Sequence, residues 1–166
     1  MVLYRKMLVF GLLLFVCLLA SCEEQTAEQL FVSAEAAAAD SSKQDLALEQ
    51  FTTFLTRYPQ HPRCDEVLRK LAMIARQNGD MNESIGYYER LIADYPSSKY
   101  GDEAQFMIAF IYEEYLQDQE RARQAYQRLI DRYPNSELAA SARRLLPHVG
   151  RNPEEWVEFQ DEVASP

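Results

Sequence analysis

The sequence predicts an all-α fold, an α-solenoid of about three helix pairs followed by a C-terminal capping helix. Three observations point there. Tyr-Pro recurs at Tyr58-Pro59, Tyr95-Pro96 and Tyr133-Pro134, 37 and 38 residues apart, and self-similarity at such a period marks stacked helical or solenoid units. Upstream of each Tyr-Pro the chain aligns without gaps. Ala47, Phe51 and Phe54-Leu55 match Ser84, Tyr88 and Leu91-Ile92, and then Ala122, Tyr126 and Leu129-Ile130; these offsets draw one apolar stripe along a helix. Finally, five glycines and seven prolines in 166 residues are too few for a multi-hairpin β architecture.

The chain opens on a segment of different character. Arg5 and Lys6 precede an uninterrupted apolar run of 14 residues, Met7–Ala20. That run is too short to cross a hydrocarbon core of roughly 30 Å, but it fits the hydrophobic region of a secretory signal. Leu19-Ala20-Ser21-Cys22 resembles the lipobox of bacterial lipoproteins. The resemblance implies a signal peptide over residues 1–21, acylation of the Cys22 thiol and a lipidated tether over residues 22–26. Glu23 in place of aspartate leans, by the enteric sorting rule, toward the outer membrane, with the body facing the periplasm more readily than the exterior. A plain signal peptide or an uncleaved anchor is the competing reading. With Cys17 removed and Cys22 acylated, Cys64 is left alone, and packing is its expected role.

Cleavage after Ser21 removes two cations and no acid, taking the net charge from −9 to −11. So acidic a chain offers no basic face to nucleic acid or to anionic headgroups. The lipid must do the anchoring.

The first helix pair is expected at Ala27–Ala39 and Lys43–Tyr58, broken at Asp40-Ser41-Ser42. Pro62–Gln77 and Lys99–Leu116 open the next two pairs. Their apolar residues fall at helical spacing, Val67, Leu68, Leu71, Ala72, Ile74 and Ala75 in one, Ala104, Met107, Ile108, Ala109, Ile111 and Tyr112 in the other. Ser98 and Ser136 stand where N-caps belong, with His61 at the matching place before Pro62. Asn78-Gly79-Asp80 turns the second pair. In the third, Leu116-Gln117-Asp118 is read as a turn one residue longer, accounting for the spacing of 38. Ser136–Leu146 starts another first helix, which Pro147 ends. Asn152-Pro153-Glu154-Glu155 then begins a helix with Trp156, Phe159 (or Gln160) and Val163 on one face, a cap over the last repeat within residues 151–166. Trp156 as a partner anchor is the alternative.

The pattern over residues 27–150 resembles the tetratricopeptide repeat. The matching residues are Ala72 and Ala109 at the eighth position, Gly79 at the turn, Ala47, Ser84 and Ala122 opening the second helices, the aromatics Phe51, Tyr88 and Tyr126, and Pro59, Pro96 and Pro134. Together with the lipobox, the run from Tyr95-Pro96 to Ala104 is most similar to the BamD-type outer-membrane assembly lipoproteins and to the C-terminal repeats of the Tol-Pal-associated cell-division coordinator. The resemblance implies a scaffold that binds envelope proteins, or a regulator of peptidoglycan synthesis or Tol-Pal-linked maintenance. It implies a groove lined by the first helices, at Glu66, Arg69, Met73, Arg76 and Gln77 in the second repeat and Glu103, Phe106, Phe110, Glu113 and Glu114 in the third. Phe106 and Phe110 lie outside the core stripe of their helix. Exposed, they would anchor a peptide; packed, they would fill a helix–helix contact.

Catalytic material is thin. Two histidines and three scattered cysteines suggest no metal cage, and no residue set suggests a cofactor, a small-molecule substrate or a catalytic site. Glu113 and Glu114 are adjacent and cannot face each other across a helix, so a hydrolase using surface carboxylates is only a remote alternative.

Overall fold

The computed structural model describes residues 25–151. The expected signal peptide, Cys22, and Trp156, Phe159 and Val163 of the expected capping helix lie outside them. The described residues form seven α-helices and no strand: α1 Ala27–Ala38, α2 Gln44–Arg57, α3 Cys64–Gln77, α4 Met81–Asp94, α5 Gly101–Phe110, α6 Gln119–Arg132 and α7 Glu137–Leu145. None is long and apolar enough to cross a membrane.

Helices pair as the repeat requires, α1 with α2, α3 with α4 and α5 with α6, each pair packing on the next. The small residues Ala47, Ser84 and Ala122 are fully buried where paired helices cross. Ser84 adds a buried bond, its hydroxyl donating to the Ala72 carbonyl at 2.8 Å. Four residues on, Phe51, Tyr88 and Tyr126 are each at most 1% exposed. A side chain of that size stabilises by about 1.5–3 kcal/mol when fully buried, and three of them at the same register carry one continuous core from pair to pair.

Helix starts depart from expectation in two of three cases. Ser136 does cap α7, accepting from the Leu138 and Ala139 amides. His61 and Ser98 do not cap α3 and α5, which begin after Arg63 and Tyr100. Past each Tyr-Pro the chain first makes two tight turns, with the His61 and Ser98 amides donating to the Tyr58 and Tyr95 carbonyls, and the Cys64 and Gly101 amides to the His61 and Ser98 carbonyls. Ser98 caps the second of these turns, its hydroxyl accepting from the Tyr100 amide at 3.1 Å. Pro62 therefore lies in a turn, where its fixed φ is equally at home.

The extra residue of the third repeat also sits elsewhere than expected. Asn78-Gly79-Asp80 and Leu116-Gln117-Asp118 are turns of equal length, each with its middle residue left-handed, Gly79 at φ +88° and Gln117 at +53°. The insertion is absorbed as a π-helical turn, Ile111–Tyr115, continuing α5. The Leu116 amide reaches back five residues to the Ile111 carbonyl, and that of Asp118 six to Tyr112, where Asp80 reaches only five to Ala75. Widening one turn lets the core residues before it and the turn after it keep the registers of the second repeat.

The Tyr-Pro tyrosines lie over the helix starts. Cys64 is fully buried, its thiol donating to the Tyr58 carbonyl at 3.2 Å. At the matching place Gly101 meets Tyr133, whose Cζ would stand 3.0 Å from an added Cβ and whose hydroxyl would be closer still. That hydroxyl is buried without a hydrogen-bond partner. Gly101→Ala is thus expected to cost about 1–3 kcal/mol by overpacking, read as a lower denaturant midpoint. Tyr133→Phe removes an unsatisfied group and should recover part of that loss in the double variant; additive effects would refute the contact.

Candidate functional site: the face of the odd-numbered helices

The odd-numbered helices α1, α3 and α5 stand side by side, laced by charged pairs. Glu28 meets Arg63 at 3.1 Å, Glu35 meets Lys70 at 2.7 Å and Arg69 meets Glu103 at 3.3 Å. All three are partly exposed, so they fix the relation between repeats more than they add stability. Arg63 also lies over the Phe31 ring, 3.4 Å from its centroid.

Every groove residue expected from the repeat pattern falls on α3, α5 or the π-turn. Glu66 pairs with Arg63 at 2.9 Å. Arg69 lies 4.8 Å from the centre of the Tyr100 ring and donates to the Met73 sulfur at 3.1 Å, so both are held by their neighbours. Arg76 donates to the Tyr115 hydroxyl at 3.4 Å, and Gln77 is exposed. Beyond them stand Glu103, Phe106 and Phe110, all half-buried.

The two phenylalanines are neither free nor lost to the core. Phe106 leans edge-on against Tyr126 with centroids 5.7 Å apart and packs on the margin of the core. Phe110 meets Tyr115 edge-on at 5.9 Å. With Tyr126 and Leu145 they line a cavity of about 570 Å³, rimmed by Glu113, Glu114, Gln117, His148 and Arg151.

The π-turn separates the two acids. Glu113 turns inward and accepts from the Tyr126 hydroxyl at 2.8 Å, while Glu114 is exposed. Burial, then this bond to a carboxylate, pushes the Tyr126 phenol well up from its ordinary value. Tyr115, 46% exposed, takes the place that Gln77 holds in the second repeat. Ungapped counting along α5 misses it; the spacing of 38 was the signal. Val32, 62% exposed on α1, stands 37 residues before Arg69, and counting back one repeat would have found it.

Among the described residues two carboxyls shift, Asp40 and Asp118, and both go down. Hydrogen bonds from Ser42 hold Asp40 at about 2, and the Arg121 amide holds Asp118 low. A general acid needs the opposite direction. Among the described residues no three His, Cys, Asp or Glu side chains converge on a metal position.

Helix pairs at a fixed repeat, with one row of helices presenting half-buried aromatics between anchored charges, define an α-solenoid of the protein-interaction class. Comparison with protein families agrees: models described as tetratricopeptide repeat match residues 33–99 and 103–136. The chain is a tetratricopeptide-repeat protein, a kind of array that is typically non-catalytic and binds other proteins. No curated protein matches it.

Proposed function

We propose that this protein is a lipid-anchored scaffold of the bacterial envelope that holds a segment of an envelope protein along the face of α1, α3 and α5, in outer-membrane protein assembly. The observation that carries the binding role is the aromatic cluster Phe106, Phe110 and Tyr115, beside Arg69 and Arg76. Half-buried aromatics already held by neighbours lose little side-chain freedom on binding, which makes them economical anchors. The arginines and Glu103 set register and reject mismatched charge.

The anchor reading rests on the lipobox-like Leu19-Ala20-Ser21-Cys22 and gains meaning from the start of α1. Thr26 caps that helix in a reciprocal capping box with Gln29, and the Tyr58 hydroxyl donates to the Gln25 carbonyl. Gln25 is thereby tied to the first Tyr-Pro loop, three residues from Cys22. At roughly 3.5 Å per residue the tether reaches about 10 Å, so the Tyr-Pro edge of the array would face the headgroups.

In-cell photocrosslinking from Gln77, followed by mass spectrometry, tests both parts. The Phe106→Ala/Phe110→Ala variant is expected to lose most of the crosslinked partner at unchanged expression and helicity, and Cys22→Ala to leave the membrane fraction. Undiminished crosslinks would refute the groove, and membrane retention the anchor. Recovery of barrel proteins supports the assembly role; recovery of peptidoglycan synthases overturns it in favour of a regulator of wall synthesis.

A further inference from the structure

Met73 stands on α3 between Arg69 and Arg76, which lie four residues before it and three after it and so share its side of the helix. It is half-buried there, whereas Met81 and Met107, the other two methionines among the described residues, pack against the core. Its thioether sulfur accepts from the Arg69 guanidinium at 3.1 Å. The same nitrogen, Nη1, reaches Glu103 on α5 at 3.3 Å, while the guanidinium lies beside the Tyr100 ring. One arginine nitrogen thus serves a sulfur of its own helix and a carboxylate of the next repeat.

The bond to Glu103 is long for a guanidinium, whose bonds to a carboxylate usually run to about 2.7–2.9 Å. The pair is therefore loose, and a change at the sulfur is felt by Glu103. A thioether is a weak acceptor; its sulfoxide is polar and carries an oxygen. Hydrogen peroxide makes that change in one two-electron step. A sulfur lone pair attacks one peroxide oxygen, and the S–O bond forms as the O–O bond breaks. The proton of the transferred oxygen passes to the departing hydroxide, which leaves as water. The new oxygen becomes the acceptor and the sulfur the positive end of a dipole, so Nη1 cannot stay on the sulfur. To follow the oxygen it leaves its place between Met73 and Glu103.

We propose that Met73 is an oxidation site of this protein, and that its sulfoxide draws Arg69 away from Glu103 and releases the tie between α3 and α5 on this face. The step is reversible, because methionine sulfoxide reductases return the thioether. Its consequence for a partner, weaker binding by the oxidised face, rests on the groove reading. The oxidation and the release of Glu103 are measured on the protein alone, so their failure is distinguishable from a failure of the groove.

The full chain is treated with hydrogen peroxide, and sulfoxide formation is followed peptide by peptide by mass spectrometry. Met73 is expected to oxidise several-fold faster than Met81 and Met107 in the folded protein, and at their rate in urea. The tie is read as a thermodynamic cycle. Glu103→Gln should lower the urea midpoint of the reduced protein and lose that effect once Met73 is oxidised; reductase treatment should restore it. Because peroxide reaches other methionines too, Met73→Leu is the control, in which the effect of Glu103→Gln should survive the same treatment. Equal oxidation of the three methionines in the folded protein would overturn the proposal. So would an effect of Glu103→Gln that is absent from the reduced protein or unchanged by oxidation.

Discussion

Deleting Glu114 is expected to leave the protein folded with a cooperative melt, whereas deleting Lys70 is expected to abolish that melt. Both residues are partly exposed on odd-numbered helices, so composition and burial alone give no reason for such a difference. The reason is register. Lys70 stands in the middle of α3, and its loss rotates everything after it by about 100°. Leu71, Ala72, Ile74 and Ala75, all at most 3% exposed, would swing out of the core. Losing two buried side chains of Leu or Ile size costs about 4–10 kcal/mol, as much as a domain of this size has in total. Glu114 instead lies in the π-turn, where the Leu116 amide reaches five residues back. Removing one residue there restores the four-residue reach and the spacing of 37 found one repeat earlier. Thermal melts followed by circular dichroism decide it. Equal loss of cooperativity in both deletions would show that the π-turn is not the site of the insertion.

Alkaline pH is expected to unfold the protein through its tyrosines. Burial pushes the Tyr88 phenol from 10 up to about 12, with Glu103 adding to the shift, and burial together with the Cys64 thiol pushes Tyr95 to about 12 as well. Tyr126 moves the same way. A phenol whose folded pKa is raised binds its proton longer in the native state than in the unfolded chain. Its contribution is therefore intact below pH 10 and is lost as pH rises from there through about 12. For Tyr88, 1% exposed, the full loss amounts to about 2–3 kcal/mol. Urea melts at about pH 9 and about pH 11 should show a marked fall in stability, and Tyr88→Phe should make that fall shallower. A stability flat over this interval would mean that the phenols are reached by solvent in the native state.

Much of the molecule was legible in the sequence because repetition multiplies weak signals. One amphipathic stripe is ambiguous; three copies ending in Tyr-Pro at a fixed period specify paired helices, their order and their core. Ala47, Ser84 and Ala122, and four residues on Phe51, Tyr88 and Tyr126, were identifiable as packing residues, since only small and then large side chains satisfy that geometry in every copy. Helix starts were less legible. His61 and Ser98 have capping chemistry, but the turns after Tyr-Pro use it a few residues ahead of α3 and α5. Of the candidate face, the positions on α3 and the first half of α5 could be counted from the repeat. Phe106 and Phe110 were legible as surplus to the core stripe of α5, but their edge-on contacts with Tyr126 and Tyr115 were not, because one partner comes from the outer helix and the other follows the π-turn.

The repeat, the helical class, the acidic balance and the lipobox-like start are readable from the residues in order, because they depend on local spacing and on residue chemistry. Where the thirty-eighth residue went is a matter of packing between helices. An insertion can lengthen a turn or widen a helix, and the choice depends on which keeps Ile111 and Tyr112 packed on one side and the turn to α6 in place on the other. Widening α5 met both demands. It sent Glu113 inward to Tyr126 and left Tyr115 on the face beside Arg76 and Phe110.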